Sequence, residues 1–108
     1  MSADRLDTLL QFYDEDPDDP FTRFAIAQEY LKRGKTQQAL TFLEDLMADA
    51  PEYTGTYYHL AKLYERLGRR DDALATYRKG VKQAQAQRQT KDLSELQDAL
   101  MNLELADD

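Results

Sequence analysis

Between residues 24 and 103 the apolar side chains fall into runs spaced by three or four positions, as in helices that turn one face to a core. Phe24, Ile26, Ala27, Tyr30 and Leu31 form one stripe, and Ala39, Leu40, Leu43, Leu46 and Met47 form the next. Tyr57, Leu60, Ala61 and Tyr64 make a third, and Ala73, Leu74, Tyr77 and Val81 a fourth. The punctuation between the stripes predicts where each helix begins and ends. Asp19 is suited to accept a hydrogen bond from a free N–H at a helix start, and Pro20 to occupy the first turn, where a missing N–H costs little. Glycine tolerates the left-handed backbone that closes a helix, so Gly34 and Gly68 read as helix stops. The second helix is predicted from about Thr36 to Asp49, with Pro51 closing the unit because it cannot continue a helix.

The stripes are copies of one another. A step of 34 positions carries Gly34 to Gly68, Ala27 to Ala61, Tyr30 to Tyr64, Ala39 to Ala73, Leu40 to Leu74 and Pro17 to Pro51. A unit of that length cannot bury its apolar face alone, so copies must stack, which leaves an extended surface for a partner. Small residues at 27, 39, 61 and 73 let helix axes approach closely, with Tyr30 and Tyr64 filling the space beside them.

These residues resemble the tetratricopeptide repeat (TPR) family, built from a 34-residue helix–turn–helix. With Pro20 and Thr54 as first positions, the family's small eighth residue falls on Ala27 and Ala61, its eleventh tyrosine on Tyr30 and Tyr64, and its twentieth alanine on Ala39 and Ala73. The bulky twenty-fourth residue falls on Leu43 and Tyr77, and the closing proline on Pro51. The aromatic fourth position is Tyr57 but is Arg23 in the first unit, the twenty-seventh is Leu46 and Gly80 in place of alanine, and the second unit ends on Gln85 in place of proline. The resemblance implies an all-α fold, a TPR-type helix-turn-helix superhelix or α-solenoid.

One period upstream, Leu6, Leu9, Phe12, Tyr13 and Pro17 lie under Leu40, Leu43, Leu46, Met47 and Pro51, so an N-terminal helix resembles the back half of a preceding repeat. After Gln85 the period is lost. Asp92 with Glu95 fits a capping-box-like helix start, and Leu93, Leu96, Leu100 and Leu103 form one stripe of a capping helix, with Met101 and Leu105 off it. The expectation is one TPR domain over residues 1–108 with about six helices. It divides into a half repeat (1–18), repeat 1 (19–52), repeat 2 (53–86), and a capping helix with an acidic tail (87–108). The initiating Met1 and the cap-like end favour a complete unit.

Composition narrows the chemistry. The 108 residues suffice for a single modest core, and no cysteine and one histidine leave no disulfide framework, thiol nucleophile or Cys/His zinc arrangement. No basic-then-apolar leader opens the chain and no stretch has the length of a membrane span, so a soluble, cytoplasmic protein with no membrane partner is expected. The net charge of −7 is unevenly spread: residues 1–20 carry seven acids, residues 92–108 six acids and no base, and residues 62–91 nine bases against three acids. Acidic flanks oppose the phosphate neutralisation that nucleic acid binding requires. Asp outnumbers Glu and Arg outnumbers Lys, a balance that adaptation to high salt would also produce.

In the TPR family the first helix of each unit lines a groove through its second, fifth, ninth, twelfth and thirteenth positions. Here these are Phe21, Phe24, Gln28, Leu31 and Lys32, then Gly55, Tyr58, Lys62, Glu65 and Arg66. The resemblance implies a partner-binding groove formed by Phe24, Gln28, Leu31, Tyr58, Lys62, Glu65 and Arg66. Aromatic anchors beside bases suit a protein or peptide partner with an acidic segment. The family's carboxylate clamp for chaperone tails is missing, because its positions hold Phe24, Gln28, His59, Gln89 and Leu93.

Catalytic and metal readings are weaker. His59 has Lys62 and Glu65 on its helical face but no serine or cysteine in a defined relation to it. The run from Asp14 to Asp19 opens like a calcium loop, but Asp19 stands where the turn needs glycine and Ala25 where a bidentate glutamate is needed. No cofactor, metal or enzyme activity is expected. The expected function is a non-catalytic binding adaptor, with a self-assembling or structural subunit (a weak homo-oligomer), or a module of a longer regulatory protein, as alternatives.

Overall fold

The computed structural model describes residues 4–106, so Met1 and the last two acids of the expected tail, Asp107 and Asp108, lie outside the described residues. Within them are six helices and no strand: α1 (Arg5–Glu15), α2 (Pro20–Lys32), α3 (Thr36–Asp49), α4 (Gly55–Arg66), α5 (Arg70–Ala86) and α6 (Thr90–Leu105). None is long and apolar enough to cross a membrane. The helices group into two compact units, one with α1 to α3 and one with α4 to α6.

In the first unit, Asp19 caps α2 as expected, accepting from the Thr22 amide at 3.1 Å and its hydroxyl at 2.6 Å. Gly34 takes φ 72° at the end of α2, and the Lys35 amide donates back to the Tyr30 carbonyl at 2.9 Å. Leu6 and Leu9 of α1 pack on Ala25 and Ile26, with Leu10, Tyr13, Tyr30 and Phe42 around them. Phe12 does not join this stripe and is exposed. It sits about a quarter of a turn round the helix from the centre of Leu6, Leu9 and Tyr13, at the edge of their face.

Charge fastens the open end of the same unit. Glu29, almost buried on α2, receives Arg5 at 3.3 Å, Arg33 at 3.6 Å and Lys32 at 3.9 Å, while Arg33 also holds Asp4 at 2.8 Å. The Arg33 hydrogen bond keeps the Asp4 carboxyl below the usual carboxylate range. Arg23, where the resemblance calls for an aromatic, is buried and donates to Asp49 at 2.7 Å, tying the first turn of α2 to the last turn of α3.

The second unit repeats the turn at Gly68, with φ 73° and the Arg69 amide 2.8 Å from the Tyr64 carbonyl. Tyr57, Leu60, Ala61, Ala73, Tyr77, Ala84 and Leu96 form its core. Tyr57 keeps its phenol satisfied by donating to the Pro51 carbonyl at 2.6 Å. Gly80 of α5 lies so close to α4 that an added Cβ would stand 2.6 Å from the Tyr57 Cβ and 3.1 Å from the Leu96 Cδ1. The departure from alanine at this position is therefore where α4, α5 and α6 meet.

The start of the last helix differs from expectation. Asp92 and Glu95 form no capping box: α6 begins at Thr90, and Asp92 instead accepts from the Thr54 hydroxyl at 2.5 Å. The reason lies in the preceding turn. Arg88 adopts φ 57°, and the Gln89 amide donates to the Ala84 carbonyl at 2.9 Å, the bond made after Gly34 and Gly68. An arginine thus takes the place of a glycine, a stop the sequence does not announce. Leu96 of the expected stripe is buried, Leu93, Leu100 and Leu103 are half-buried, and Ala99 joins them. Met101 and Leu105 are exposed. Arg70 donates to the Leu103 carbonyl at 3.0 Å and Arg78 pairs with Glu104 at 3.1 Å, fixing the end of α6 to α5.

Candidate functional site

Tyr58, Lys62 and Glu65 follow one another by four and three positions along α4, so they line one side of that helix, and all three are half-buried, with Arg66 exposed beside them. Phe24, Gln28 and Leu31 take the same steps one period earlier on α2 and are half-buried as well. Each unit therefore carries one stripe that is neither core nor fully solvated. The structure brings the four residues of α4 together on one helix; those of α2 form a separate stripe in the first unit.

In the second unit α4 and α6 run in the same direction. Thr54 meets Asp92 at their starts, and further along an open cavity of about 430 Å³ is lined by Tyr58, His59 and Lys62 on α4 and by Glu95, Asp98, Ala99 and Asn102 on α6. The carboxylates of Glu95 and Asp98 and the carboxamide of Asn102 lie three and four positions apart, on one face of α6. In the sequence Glu95 reads only as part of a capping box, and Asp98 and Asn102 do not stand out. The signal was a polar stripe at 95, 98 and 102, but the loss of period after Gln85 removed the register that would have aligned it with α4.

The electrostatics of this wall are more mixed than the sequence suggests. Lys62 Nζ is 3.8 Å from Glu65 and 5.6 Å from the centre of the Tyr58 ring. Glu65 also accepts the Tyr77 hydroxyl, and burial, followed by this bond, pushes the Tyr77 phenol far above its ordinary range. Burial lowers the His59 imidazole below its ordinary value, only partly opposed by Glu95, so it is neutral at pH 7. Lys62 is thus paired with Glu65, and Arg66 is the exposed base of this stripe.

Residues 30–100 match the family model described as Tetratricopeptide repeat. The chain belongs to that family. The crystal structure of a tetratricopeptide repeat domain protein from Salinibacter ruber is 53% identical, with TM-score 0.80, covering 82% of this chain and 99% of that one. The TPR repeat-containing protein YpiA of Bacillus subtilis is 38% identical over 69 residues, 64% of this chain and 16% of its own length. Cellulose synthase operon protein C of Pseudomonas fluorescens is 33% identical over 66 residues, 61% of this chain and 5% of its own. The chain spans a small fraction of these two longer relatives. TPR proteins generally mediate protein–protein interactions, and the TPR fold is typically non-catalytic.

Proposed function

We propose that this TPR protein is a non-catalytic adaptor that binds partner protein segments through the first-helix stripe of each unit, Phe24, Gln28 and Leu31 on α2 and Tyr58, Lys62, Glu65 and Arg66 on α4. The observation that carries the reading is the recurrence, 34 residues apart, of three half-buried positions that mix aromatic or aliphatic surface with polar groups. Aromatic and aliphatic surface supplies affinity, and the charges fix register. Arg66, with Lys62 behind it, is the group suited to an acidic residue of the partner. Affinity capture from the native cell extract, with a Lys62→Glu/Arg66→Glu double variant in parallel, tests this. A partner retained by the parent chain and lost by the variant supports it; equal retention refutes the role of α4.

A self-assembling role has one observation in its favour, the exposed Met101 and Leu105 one turn apart on α6, at 53% and 72% exposure. Sedimentation of the chain against a Met101→Ser/Leu105→Ser variant decides it: a monomer in both cases removes this reading.

A further inference from the structure

Four acids of α6 fall among the described residues, and their surroundings divide them. Asp92 is engaged by Thr54 and Glu104 by Arg78. Glu95 and Asp98 have no salt bridge among the described residues, although the chain carries 14 lysines and arginines, and these are the two that line the cavity against α4. Lys62, the one lysine or arginine among the described residues of the lining, is offset by Glu65 outside it, and burial disfavours the charged form of His59. The cavity therefore holds an excess of negative charge beside an aromatic ring, Tyr58, and a carboxamide oxygen, Asn102.

From this arrangement we infer that the cavity between α4 and α6 is a subsite for a basic side chain of the partner segment, with arginine the best occupant. The inference rests on the adaptor reading and names the chemistry of one position in the bound segment. A planar guanidinium has five N–H donors, enough to serve Glu95, Asp98 and Asn102 at once, and it stacks on aromatic faces such as that of Tyr58. A lysine ammonium would satisfy fewer of these groups. An acidic side chain is excluded here, because it would face two unneutralised carboxylates. Arg66 lies one turn along α4 from Lys62, outside the cavity, so the recognised segment is of mixed charge: a basic residue enters the cavity and an acidic one lies toward Arg66.

The test uses the full chain and small probes. N-acetyl-arginine methylamide, which carries only the side-chain charge, is titrated to millimolar concentration while backbone amide shifts are followed by NMR; the citrulline analogue, of the same shape but uncharged, is titrated in parallel. The expected result is saturable shifts confined to the region of residues 58–62 and 95–102. Citrulline should bind roughly tenfold more weakly or worse, the loss expected when a charge-assisted hydrogen bond becomes neutral. A Glu95→Gln/Asp98→Asn variant should lose the shifts, while Asp71→Asn/Asp72→Asn, which removes the same two negative charges from α5, should keep them. Equal binding of citrulline, shifts spread over the acidic surface, or unchanged binding to the Glu95/Asp98 variant would each overturn the subsite. The adaptor reading stands or falls separately, on partner capture by an Arg66→Glu variant, whose changed residue lies outside the cavity. Both α6 substitutions are at exposed positions, and unchanged melting curves confirm that any loss is not unfolding.

Discussion

Replacing Gly80 by alanine sets two known effects against each other at a single methyl group. In an exposed helix position the change stabilises by about 1 kcal/mol, because glycine is the more flexible residue in the unfolded chain. At Gly80 the new Cβ would stand 2.6 Å from the Tyr57 Cβ, 3.0 Å from its Cγ and 3.1 Å from the Leu96 Cδ1. The first of these atoms is fixed to the α4 backbone and cannot swing aside, so relief requires α5 to move away from α4. Tyr57 is almost fully buried, and its hydroxyl bond to Pro51 holds the ring in place. Overpacking of this kind costs roughly 1–3 kcal/mol. A cost near the top of that range is expected here, giving a net loss of about 1–2 kcal/mol after the helix-propensity gain. Urea denaturation followed by circular dichroism measures it. Ala75→Gly, at an exposed position of the same helix, calibrates the propensity term and should cost about 1 kcal/mol. If Gly80→Ala proves as stable as the parent, or more so, the close approach of α4 and α5 is wrong and the packing argument fails.

Arg88 holds a left-handed backbone at φ 57° that the other two such turns assign to glycine. Arg88→Gly should therefore raise stability by roughly 0.5–1 kcal/mol, and a loss in the same urea assay would show that the arginine side chain contributes something the backbone argument omits. The Thr56 hydroxyl is buried with no hydrogen-bond partner among the described residues. Thr56→Val keeps the shape and removes the orphaned group, so a gain of about 1–2 kcal/mol is expected, and a destabilised variant would mean the hydroxyl is satisfied in solution. Burial lowers the His59 pKa in the folded chain, so the unfolded chain takes up the proton more readily and stability falls as the pH drops below about 6.5. Asp4 and Asp19 have depressed pKa values, so their contributions persist above about 3.8 and vanish only in stronger acid. Melting temperatures across this range should show an early loss that His59→Gln abolishes and a later one that it leaves; a variant with the parent's profile refutes the assignment.

Hydrophobic spacing, the cap at Asp19, the glycines and Pro51 made the helices legible before any coordinates. Those signals are local, because a left-handed turn or a capped amide needs only a few neighbouring residues to declare itself. The bounds of α3 and the stops at Gly34 and Gly68 follow from them. The turn at Arg88 was not legible, since no glycine marks it, and without it Asp92 looked like a helix cap instead of the acceptor for Thr54. The stripes on α2 and α4 were placed only through the resemblance to the family, which assigns these positions of each first helix to a groove. What charges face Tyr58 and Lys62 could not be placed, because Glu95, Asp98 and Asn102 are more than thirty positions away along the chain and reach them only when α6 packs beside α4. Local propensity and period thus determined the elements, and tertiary packing decided their electrostatic company: secondary structure is written in spacing, whereas a binding surface depends on which distant side chains the fold brings face to face.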